Sequence, residues 1–270
     1  MQTVDRLTTL LFVPGTRPDR FAKALASGAD AVCIDLEDSV PAEGKAAARA
    51  AVIGAMDADF ALRINGLTTR AGLADLLALA EAETMPRLLL VPKVESAAEI
   101  AMLRAILEDR TPPIVPLIET ARGLREAHAI AAAPGVAAMM FGGGDLSAEL
   151  GVALAWGPLV HARSAFVLAC AEGGVPAIDV PFITLDNVEG LAAETRAAKA
   201  LGFAAKAAIH PAQIAPIHAI LRPTADEIAE ARAALAAFDA GGGRAIRFNG
   251  QMLEAPIVRR FRRILNNAEH

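Results

Sequence analysis

The sequence contains no tyrosine and a single tryptophan among its 270 residues. Proteins that bind nucleic acids stack bases on aromatic side chains and carry clustered positive charge. Here aromatic residues make up 4% of the chain, and the net charge is −5. We therefore expect no nucleic-acid partner.

Long apolar runs are also missing. No uninterrupted stretch approaches the roughly 18 residues that a membrane-spanning helix needs, although hydrophobic residues make up 54% of the chain. Asp5 precedes the first short apolar run, and no cleavage-site pattern follows it. We expect a cytoplasmic protein with no membrane partner and with a large hydrophobic core.

Cysteine is scarce. Cys33 and Cys170 lie inside apolar segments and form no CxxC pair, which is typical of buried free thiols. No Ser or Cys stands in a setting typical of an activated nucleophile, so acyl-enzyme chemistry is disfavoured.

What the sequence does contain is a regular alternation of short apolar runs with Ala-, Leu- and Glu-rich stretches at helical spacing. The runs cover residues 9–15, 31–38, 60–66, 87–95, 113–120, 136–146, 175–182 and 203–211. Strands that are apolar throughout are covered on both faces and so belong to a parallel sheet. Eight such units predict an α/β protein, a (β/α)8 TIM barrel with a C-terminal helical extension. A doubly wound sheet is the alternative, but no GxGxxG turn follows the first run.

The end of the chain departs from this alternation. Residues 223–240 predict a helix, residues 241–243 are glycines that we expect to form a flexible joint, and a short strand or turn and a basic helix follow. We predict a catalytic barrel over residues 1–222 and an extension over 223–270 that covers a neighbouring subunit's site. A solvated helix face is expected for the basic run, which consists of Arg259, Arg260, Arg262 and Arg263.

Charged residues lie at the carboxyl end of every predicted strand, where a parallel barrel has its active site. We therefore expect these side chains to surround one polar mouth. They are Arg17, Glu37, Asp38, Arg63, Lys93, Glu95, Glu119, Asp145, Asp179, Lys206 and His210.

Several carboxylates around one centre repel each other unless a cation lies between them. Oxygen ligands without His or Cys suit Mg²⁺, and we predict Glu119 and Asp145 as its direct ligands. Gly143 and Gly144 would let a substrate or the metal approach the backbone closely.

Glu37 and Asp38 are expected behind these ligands, where they would hold metal-bound water or neighbouring cationic groups. Their structural alternative is helix capping and pairing with Lys45.

The two predicted ligands have structural alternatives as well. Glu119 could instead pair with Arg122 or Arg63. Asp145 could serve as the N-cap of the following helix.

Motifs spread along the chain resemble one family. The segment LLFVPGTRPDRFAKALASGADAVCIDLEDSVPAEGKAAAR resembles the N-terminal signature of citrate lyase beta-subunit-like proteins in the HpcH/HpaI aldolase superfamily. The likeness continues through LRING, LLLVPKVES, LIETARGL, FGGGDLSAELG, AIDVPF, GFAAKAAIHPAQ and GQMLEAP, which covers nearly the whole chain in order.

The resemblance implies a Mg²⁺-dependent carbon–carbon lyase. Its substrate would be a 3-hydroxyacyl-CoA such as citramalyl-CoA or malyl-CoA, and its products acetyl-CoA and a 2-oxo acid. It places the metal on Glu119 and Asp145, and the substrate carboxylate and oxygen on Arg63.

In the family's VPGxRP segment, Thr16, Arg17 and Lys23 are expected to face the diphosphate or pantetheine of CoA. The alternatives are pairing of Arg17 with Asp19 or Glu37, and an exposed position on a helix for Lys23.

A departure from the family pattern concerns Glu254. Many members carry Asp in this C-terminal motif, and it serves a neighbouring subunit's site as the acid/base. Glu254 keeps the carboxylate but reaches about one methylene further, which matters for proton transfer over hydrogen-bond distance. The resemblance also implies a homotrimer or a hexamer.

Three other functions stay open. The chain could be the beta subunit of a citrate lyase complex that acts on a citryl group on an acyl carrier, or it could be a malyl-CoA thioesterase. It could also be a Schiff-base aldolase that uses Lys93 or Lys206, although neighbouring acids raise the pKa of a lysine and work against that role.

Overall fold

The computed structural model describes residue 4 and residues 7–268, and the structural statements below refer to these residues. Asp5, on which the expectation about the N-terminus rests, lies outside the described residues. So do the outermost ends of the two predicted domains.

Eight parallel strands close into a barrel in chain order. They are β1 (Thr9–Pro14), β2 (Ala31–Asp35), β3 (Phe60–Arg63), β4 (Leu88–Val91), β5 (Ile114–Ile118), β6 (Met139–Phe141), β7 (Ala177–Asp179) and β8 (Ala205–Ala208). Pairing of β8 with β1, where Thr9 lies opposite Lys206, closes the sheet. The predicted TIM barrel is confirmed, and its strands are shorter than the apolar runs because each run continues into a loop.

Helices follow the strands along the chain. They are α1 (Phe21–Leu25), α2 (Lys45–Gly54), α3 (Arg70–Glu81), α4 (Ala97–Leu107), α5 (Ala121–Ala131), α6 (Gly143–Leu150), α7 (Trp156–Gly173), α8 (Val188–Leu201) and α9 (Ile214–Leu221). Short 3-10 turns lie at Pro18–Arg20, Ala42–Gly44, Glu108–Arg110 and Pro211–Gln213. No helix among the described residues is long and apolar enough to cross a bilayer.

The barrel interior is packed with strand side chains, including Leu10, Cys33, Leu90 and Leu117. Every residue of β2 is buried, as expected for a parallel strand that is covered on both faces. Cys33 and Cys170 are both buried and free, as predicted.

The chain divides into two compact units, Met1–His218 and Ala219–His270. The second unit contains α10 (Ala225–Ala240), an antiparallel pair formed by β9 (Ile246–Phe248) and β10 (Gln251–Leu253), and α11 (Ala255–Ala268). It has its own hydrophobic core, which consists of Ala231, Ala234, Phe238, Leu253, Val258 and Phe261.

The structure corrects the expectation of a flexible joint at residues 241–243. Gly243 donates its N–H to the carbonyl of Phe238 at 3.1 Å, and Gly242 and Gly243 have φ angles of 70° and 72°. These glycines form the turn that leads from α10 into the β9–β10 hairpin. Burial of Phe238 and Phe261 in one core holds α11 against α10.

The β9–β10 hairpin turns through Asn249 and Gly250, whose φ angles are 47° and 80°. Asn-Gly is the strongest short sequence signal for a two-residue hairpin. The Asn-Gly pair therefore indicates a hairpin, whereas the prediction made for this segment was only a short strand or turn. The arginines of α11 are exposed, as expected.

Candidate active site

Three carboxylates meet at the carboxyl end of the barrel. Glu37 follows β2, Glu119 follows β5, and Asp145 lies in the first turn of α6. One oxygen of each lies within 4.8 Å of the others. The structure thus brings Glu119 and Asp145 together, and it adds Glu37 as a direct member, although the sequence placed Glu37 behind them.

The turn after β2 directs Glu37 into this carboxylate cluster. Asp35, the last residue of β2, accepts the N–H of Glu37 at 2.9 Å and that of Ser39 at 3.1 Å. This local bonding bends the chain directly after the strand. As a result Glu37 is buried and Asp38 is exposed.

Arg63, the last residue of β3, binds the same acidic segment. Its Nε and Nη2 donate to the two carboxylate oxygens of Asp35 at 2.7 and 2.8 Å. Its Nη1 lies 2.9 Å from Glu37 and 3.2 Å from Asp38. Although burial opposes it, the guanidinium lowers the pKa of Asp35. The planar fork that the sequence assigned to a substrate carboxylate is therefore turned toward Asp35.

Lys93 contacts all three members of the cluster. Its Nζ lies 2.5 Å from Glu37 Oε1 and 2.6 Å from Asp145 Oδ2, and its backbone N–H donates to Glu119 Oε2 at 2.9 Å. Burial lowers the pKa of Lys93, but Asp145 and Glu37 outweigh burial and raise it. An ammonium held in this way is a poor Schiff-base nucleophile. The sequence placed Lys93 at the polar mouth and predicted that Glu37 would hold neighbouring cationic groups, which the contact between Lys93 and Glu37 confirms; the contacts of Lys93 with Asp145 and Glu119 were not predicted.

The start of α6 positions Asp145. Gly142 is the N-cap residue of this helix, so the alternative of Asp145 as N-cap is wrong. Asp145 lies in the first helical turn, where the helix dipole favours negative charge. Gly143 is buried, whereas Gly144 is exposed and lines a cavity that opens beside the carboxylate cluster.

The remaining structural alternatives for these acids are also not observed. Arg122 lies 3.7 Å from Glu95, not against Glu119. Lys45 donates to the backbone carbonyls of Leu36 and Glu37 at 3.0 and 2.6 Å, so it stabilises the turn after β2 and not a carboxylate.

The electrostatics of the cluster favour a bound cation. Burial, with the charge of Glu37 adding to it, raises the pKa of Glu119 to about 8. Burial also raises the pKa of Glu37, against the opposing effect of Arg63. Glu37 Oε2 and Asp145 Oδ2 are buried oxygens that already contact cationic groups, at 2.9 Å from Arg63 Nη1 and 2.6 Å from Lys93 Nζ. Oxygen ligands alone fit a hard divalent cation.

A cavity of about 420 Å³ opens beside the cluster. Its size lies within the range of small-molecule sites. Its polar wall contains Arg63, Asp38, Glu119, Gly144 and Asp145, and its apolar wall contains Phe12, Pro14, Leu117, Met140, Val180 and Ile209.

The residues predicted to contact CoA lie elsewhere. Arg17 donates to Asp19 through Nε at 2.9 Å and Nη2 at 2.7 Å, which is one of the alternatives that the sequence left open. Thr16 and Lys23 are exposed. None of these predicted contacts is among the described residues that line the cavity. Glu254 is exposed and precedes α11 in the second unit.

Asp179 and Lys206 do not join the mouth, which corrects the expectation from strand ends. Lys206 Nζ donates to Asp179 at 2.6 Å, to Glu194 at 2.8 Å and to the carbonyl of Val180 at 2.8 Å. Arg163 Nε donates to the other oxygen of Asp179 at 2.9 Å. Arg163 and Glu194 lie on α7 and α8, so this network lies between the barrel wall and its helices, where Lys206 is fully ion-paired.

The sequence matches two family profiles. The profile described as HpcH/HpaI aldolase/citrate lyase covers residues 8–211. A second profile, described as a C–C bond lyase of the TIM-barrel fold, covers residues 169–270.

Among similar proteins, a citrate lyase subunit beta-like protein of Deinococcus radiodurans is 36% identical, over 97% of this chain and 97% of its own length. An L-malyl-CoA/beta-methylmalyl-CoA lyase of Cereibacter sphaeroides is 33% identical over 96% of this chain and 93% of its own. A (3S)-malyl-CoA thioesterase of the same species is 33% identical over 97% and 94%.

The solved structures include CitE of Mycobacterium tuberculosis in complex with magnesium, acetoacetate and coenzyme A. It is 37% identical to this chain and superposes with a TM-score of 0.85, over 99% of this chain and 100% of its own length.

Proposed function

The chain belongs to the HpcH/HpaI aldolase/citrate lyase family, and on this basis we propose that it is a Mg²⁺-dependent lyase acting on a 3-hydroxyacyl-CoA. The family predicted from the motifs is therefore confirmed, as is the carbon–carbon lyase class at the level of the family. The substrate we propose is citramalyl-CoA or malyl-CoA, which would yield acetyl-CoA and a 2-oxo acid.

The observation that carries this proposal is the three-carboxylate cluster beside the cavity. Glu119, Asp145 and Glu37 would hold Mg²⁺, whose charge would stabilise the negative charge that develops on the oxygen of the departing 2-oxo acid. The similar CitE structure contains magnesium together with coenzyme A, which supports this choice of ion and of substrate class.

Arg63 has two roles in this proposal. Its Nε and Nη2 fix Asp35 and so hold the turn that presents Glu37. Arg63 also lines the cavity together with Asp38, from which its Nη1 lies 3.2 Å, and there the guanidinium would neutralise the substrate oxygen that becomes the ketone.

The cleavage itself requires three changes in the substrate. The hydroxyl oxygen passes its proton to a carboxylate of the cavity wall, for which we propose Asp38. The bond to the carbon beside the thioester breaks as the C=O group of the 2-oxo acid forms, and that carbon keeps the electron pair as an enolate. We propose that Glu254 of a neighbouring chain in a trimer or hexamer then protonates this carbon. A cytoplasmic location and CoA contacts from Thr16, Arg17 and Lys23 remain predictions.

Two further functions are kept as candidates. Hydrolysis of the thioester is favoured by the match to the (3S)-malyl-CoA thioesterase. Action on a carrier-bound citryl group, as beta subunit of a citrate lyase complex, is favoured by the citrate lyase beta-like relative. The Schiff-base alternative has no such support, since both candidate lysines are held in ion pairs.

The decisive experiment supplies the purified chain with malyl-, citramalyl- and methylmalyl-CoA, with Mg²⁺ or with EDTA, and follows free 2-oxo acid and free thiol separately. A lyase releases 2-oxo acid without free thiol, and only with Mg²⁺. Free thiol without 2-oxo acid would identify a thioesterase. Inactivity on all three esters, with activity on a carrier-bound substrate, would identify a complex subunit.

A further inference from the structure

One residue, Lys93, reaches every carboxylate of the cluster through two different groups. The ammonium lies between Glu37 and Asp145, at 2.5 and 2.6 Å, while the backbone N–H binds Glu119 at 2.9 Å. The side chain is 40% exposed, so a path into solvent lies open to the ammonium.

The backbone of Lys93 shows that this arrangement is built into the loop after β4. Its φ angle is 54°, a left-handed conformation that is unfavourable for a residue with a Cβ. Strained conformations of this kind persist where the surrounding structure requires them. Here the conformation points the N–H at Glu119 and the side chain at Glu37 and Asp145.

The ammonium and a divalent cation would need the same oxygens. Lys93 Nζ lies 2.5 Å from Glu37 Oε1 and 2.6 Å from Asp145 Oδ2, and both residues belong to the three carboxylates that would hold the metal. Two cations a few ångströms apart repel strongly at a partly buried site. A divalent ion that binds these carboxylates must therefore displace the ammonium or share its partners.

We propose that Lys93 is a built-in competitor of the divalent cation, whose ammonium occupies the carboxylates of Glu37 and Asp145 and thereby sets the metal affinity of the site. This inference rests on the proposed metal site. Lys93 offsets part of the negative charge of the three acids, and it lowers the affinity for the metal so that binding depends on the ambient Mg²⁺ concentration.

The test measures Mg²⁺ affinity by titration calorimetry in the wild-type protein, Lys93→Met and Lys93→Arg. Met matches the length of the aliphatic part of the lysine side chain without its ammonium group, and all three residues keep the Cβ and the backbone N–H. We expect Lys93→Met to bind Mg²⁺ roughly tenfold more tightly or better, because a like charge within a few ångströms is removed. Lys93→Arg, which keeps the charge, should bind Mg²⁺ with an affinity close to that of the wild type.

A remote charge serves as the control. Lys199 lies in the last turn of α8, which leads into the start of β8 and so lies at the end of the barrel opposite the cluster. Lys199→Met changes the net charge equally and should leave the Mg²⁺ affinity unaltered. A second readout is thermal unfolding: in EDTA, Lys93→Met should unfold at a lower temperature than the wild type, and Mg²⁺ should stabilise it more strongly.

If Lys93→Met does not fold without metal, the double variant Lys93→Met with Glu37→Gln removes one charge of each sign. Its Mg²⁺ affinity should exceed that of Glu37→Gln alone by the same factor. The inference about Lys93 would be overturned if Lys93→Met bound Mg²⁺ no more tightly than the wild type and the double variant bound it no more tightly than Glu37→Gln. Absence of Mg²⁺ binding in the wild type would instead overturn the proposed metal site.

Discussion

Gly142 lies directly against the side chain of Glu119. A Cβ built on Gly142 would stand 2.0 Å from Glu119 Cγ and 2.7 Å from its Oε1. Only a glycine leaves room for Glu119 at this place, so the first glycine of the GGGD sequence holds open the position of a carboxylate in the cluster. The motif predicts an approach of substrate or metal to Gly143 and Gly144, whereas the close approach in the structure is that of Glu119 to Gly142.

Gly142→Ala tests that relationship. We expect it to displace Glu119 and to weaken Mg²⁺ binding by more than tenfold, because a Cβ at 2.0 Å cannot be accommodated without movement. Calorimetry with Mg²⁺ provides the measurement. Gly157→Ala is the matched control, since a Cβ there meets nothing within 4 Å. Unchanged affinity in Gly142→Ala would show that Glu119 does not bind the metal.

Asp145→Asn should keep the fold and lose most of the Mg²⁺ affinity, because it removes one of the anionic ligands that the ion prefers. Glu149→Gln, on the exposed side of the same helix, serves as the control and should bind Mg²⁺ as the wild type does. Circular dichroism would verify the fold of both variants. Retained affinity in Asp145→Asn would remove Asp145 from the ligand set.

Arg63→Lys should lower both activity and stability. Lysine cannot bind both oxygens of Asp35, and a buried carboxylate left with a poorer partner costs roughly 1–3 kcal/mol of unfolding free energy. Urea unfolding and steady-state turnover measure the two effects. Arg49→Lys alters a comparable pair, in which Arg49 Nε lies 2.6 Å from Asp75. It should lose stability only, and an equal loss of turnover in both variants would contradict a special role for Arg63.

The charge of Asp30 makes part of the free energy of unfolding depend on pH in the acid range. Although burial opposes it, hydrogen bonds from Thr8 and Thr9 lower the pKa of Asp30 to about 2. Because the pKa is lower in the folded protein, the ionised carboxylate stabilises the fold at any pH above the pKa of the unfolded chain, which is near 3.9. This contribution is lost as the pH falls through about 2.

Asp30→Asn should therefore lower the unfolding free energy at pH 7 by about 1–2 kcal/mol. This is less than the free energy that corresponds to the whole pKa shift, because the carboxylate is partly exposed. The difference from the wild type should shrink as the pH falls from about 4 toward 2. Urea unfolding at pH 7, 5 and 3 would measure it. A difference that stays constant with pH would refute the role of the Asp30 charge.

Glu254→Gln and Arg63→Ala test whether the second unit serves another chain. Each variant should be nearly inactive alone, because each lacks one proposed catalytic group. Mixed oligomers should regain activity, since some sites would combine an intact Arg63 with an intact Glu254 from a different chain. No recovery in verified mixed oligomers would place Glu254 in its own chain's site or outside the chemistry.

The barrel could be predicted from the sequence because its signal is local and repeated. Each apolar strand, each helical stretch and their order are properties of short segments, and eight repeats allow few other closed arrangements. The same rule identified Glu119 and Asp145, since residues at the carboxyl ends of parallel strands share one face. The family resemblance added the reaction class, which no spacing of residues contains.

Side-chain partners could not be predicted in this way, because they depend on distances between segments far apart in the chain. Asp179 and Lys206 also lie at strand ends, but their side chains meet Arg163 and Glu194 outside the barrel, where pairing stabilises buried charge. In the second unit, burial of Phe238 with Phe261 decided that α11 packs on α10, although the glycines between them suggested freedom.

The amino-acid sequence by itself determined the barrel, its polar mouth and the two acids at its centre, because strand polarity carries that information. Only the tertiary structure decided that Glu37 joins them, that Arg63 is directed toward Asp35, and that Lys93 binds the whole cluster. These choices follow from how charges neutralise one another once burial has removed water from around them.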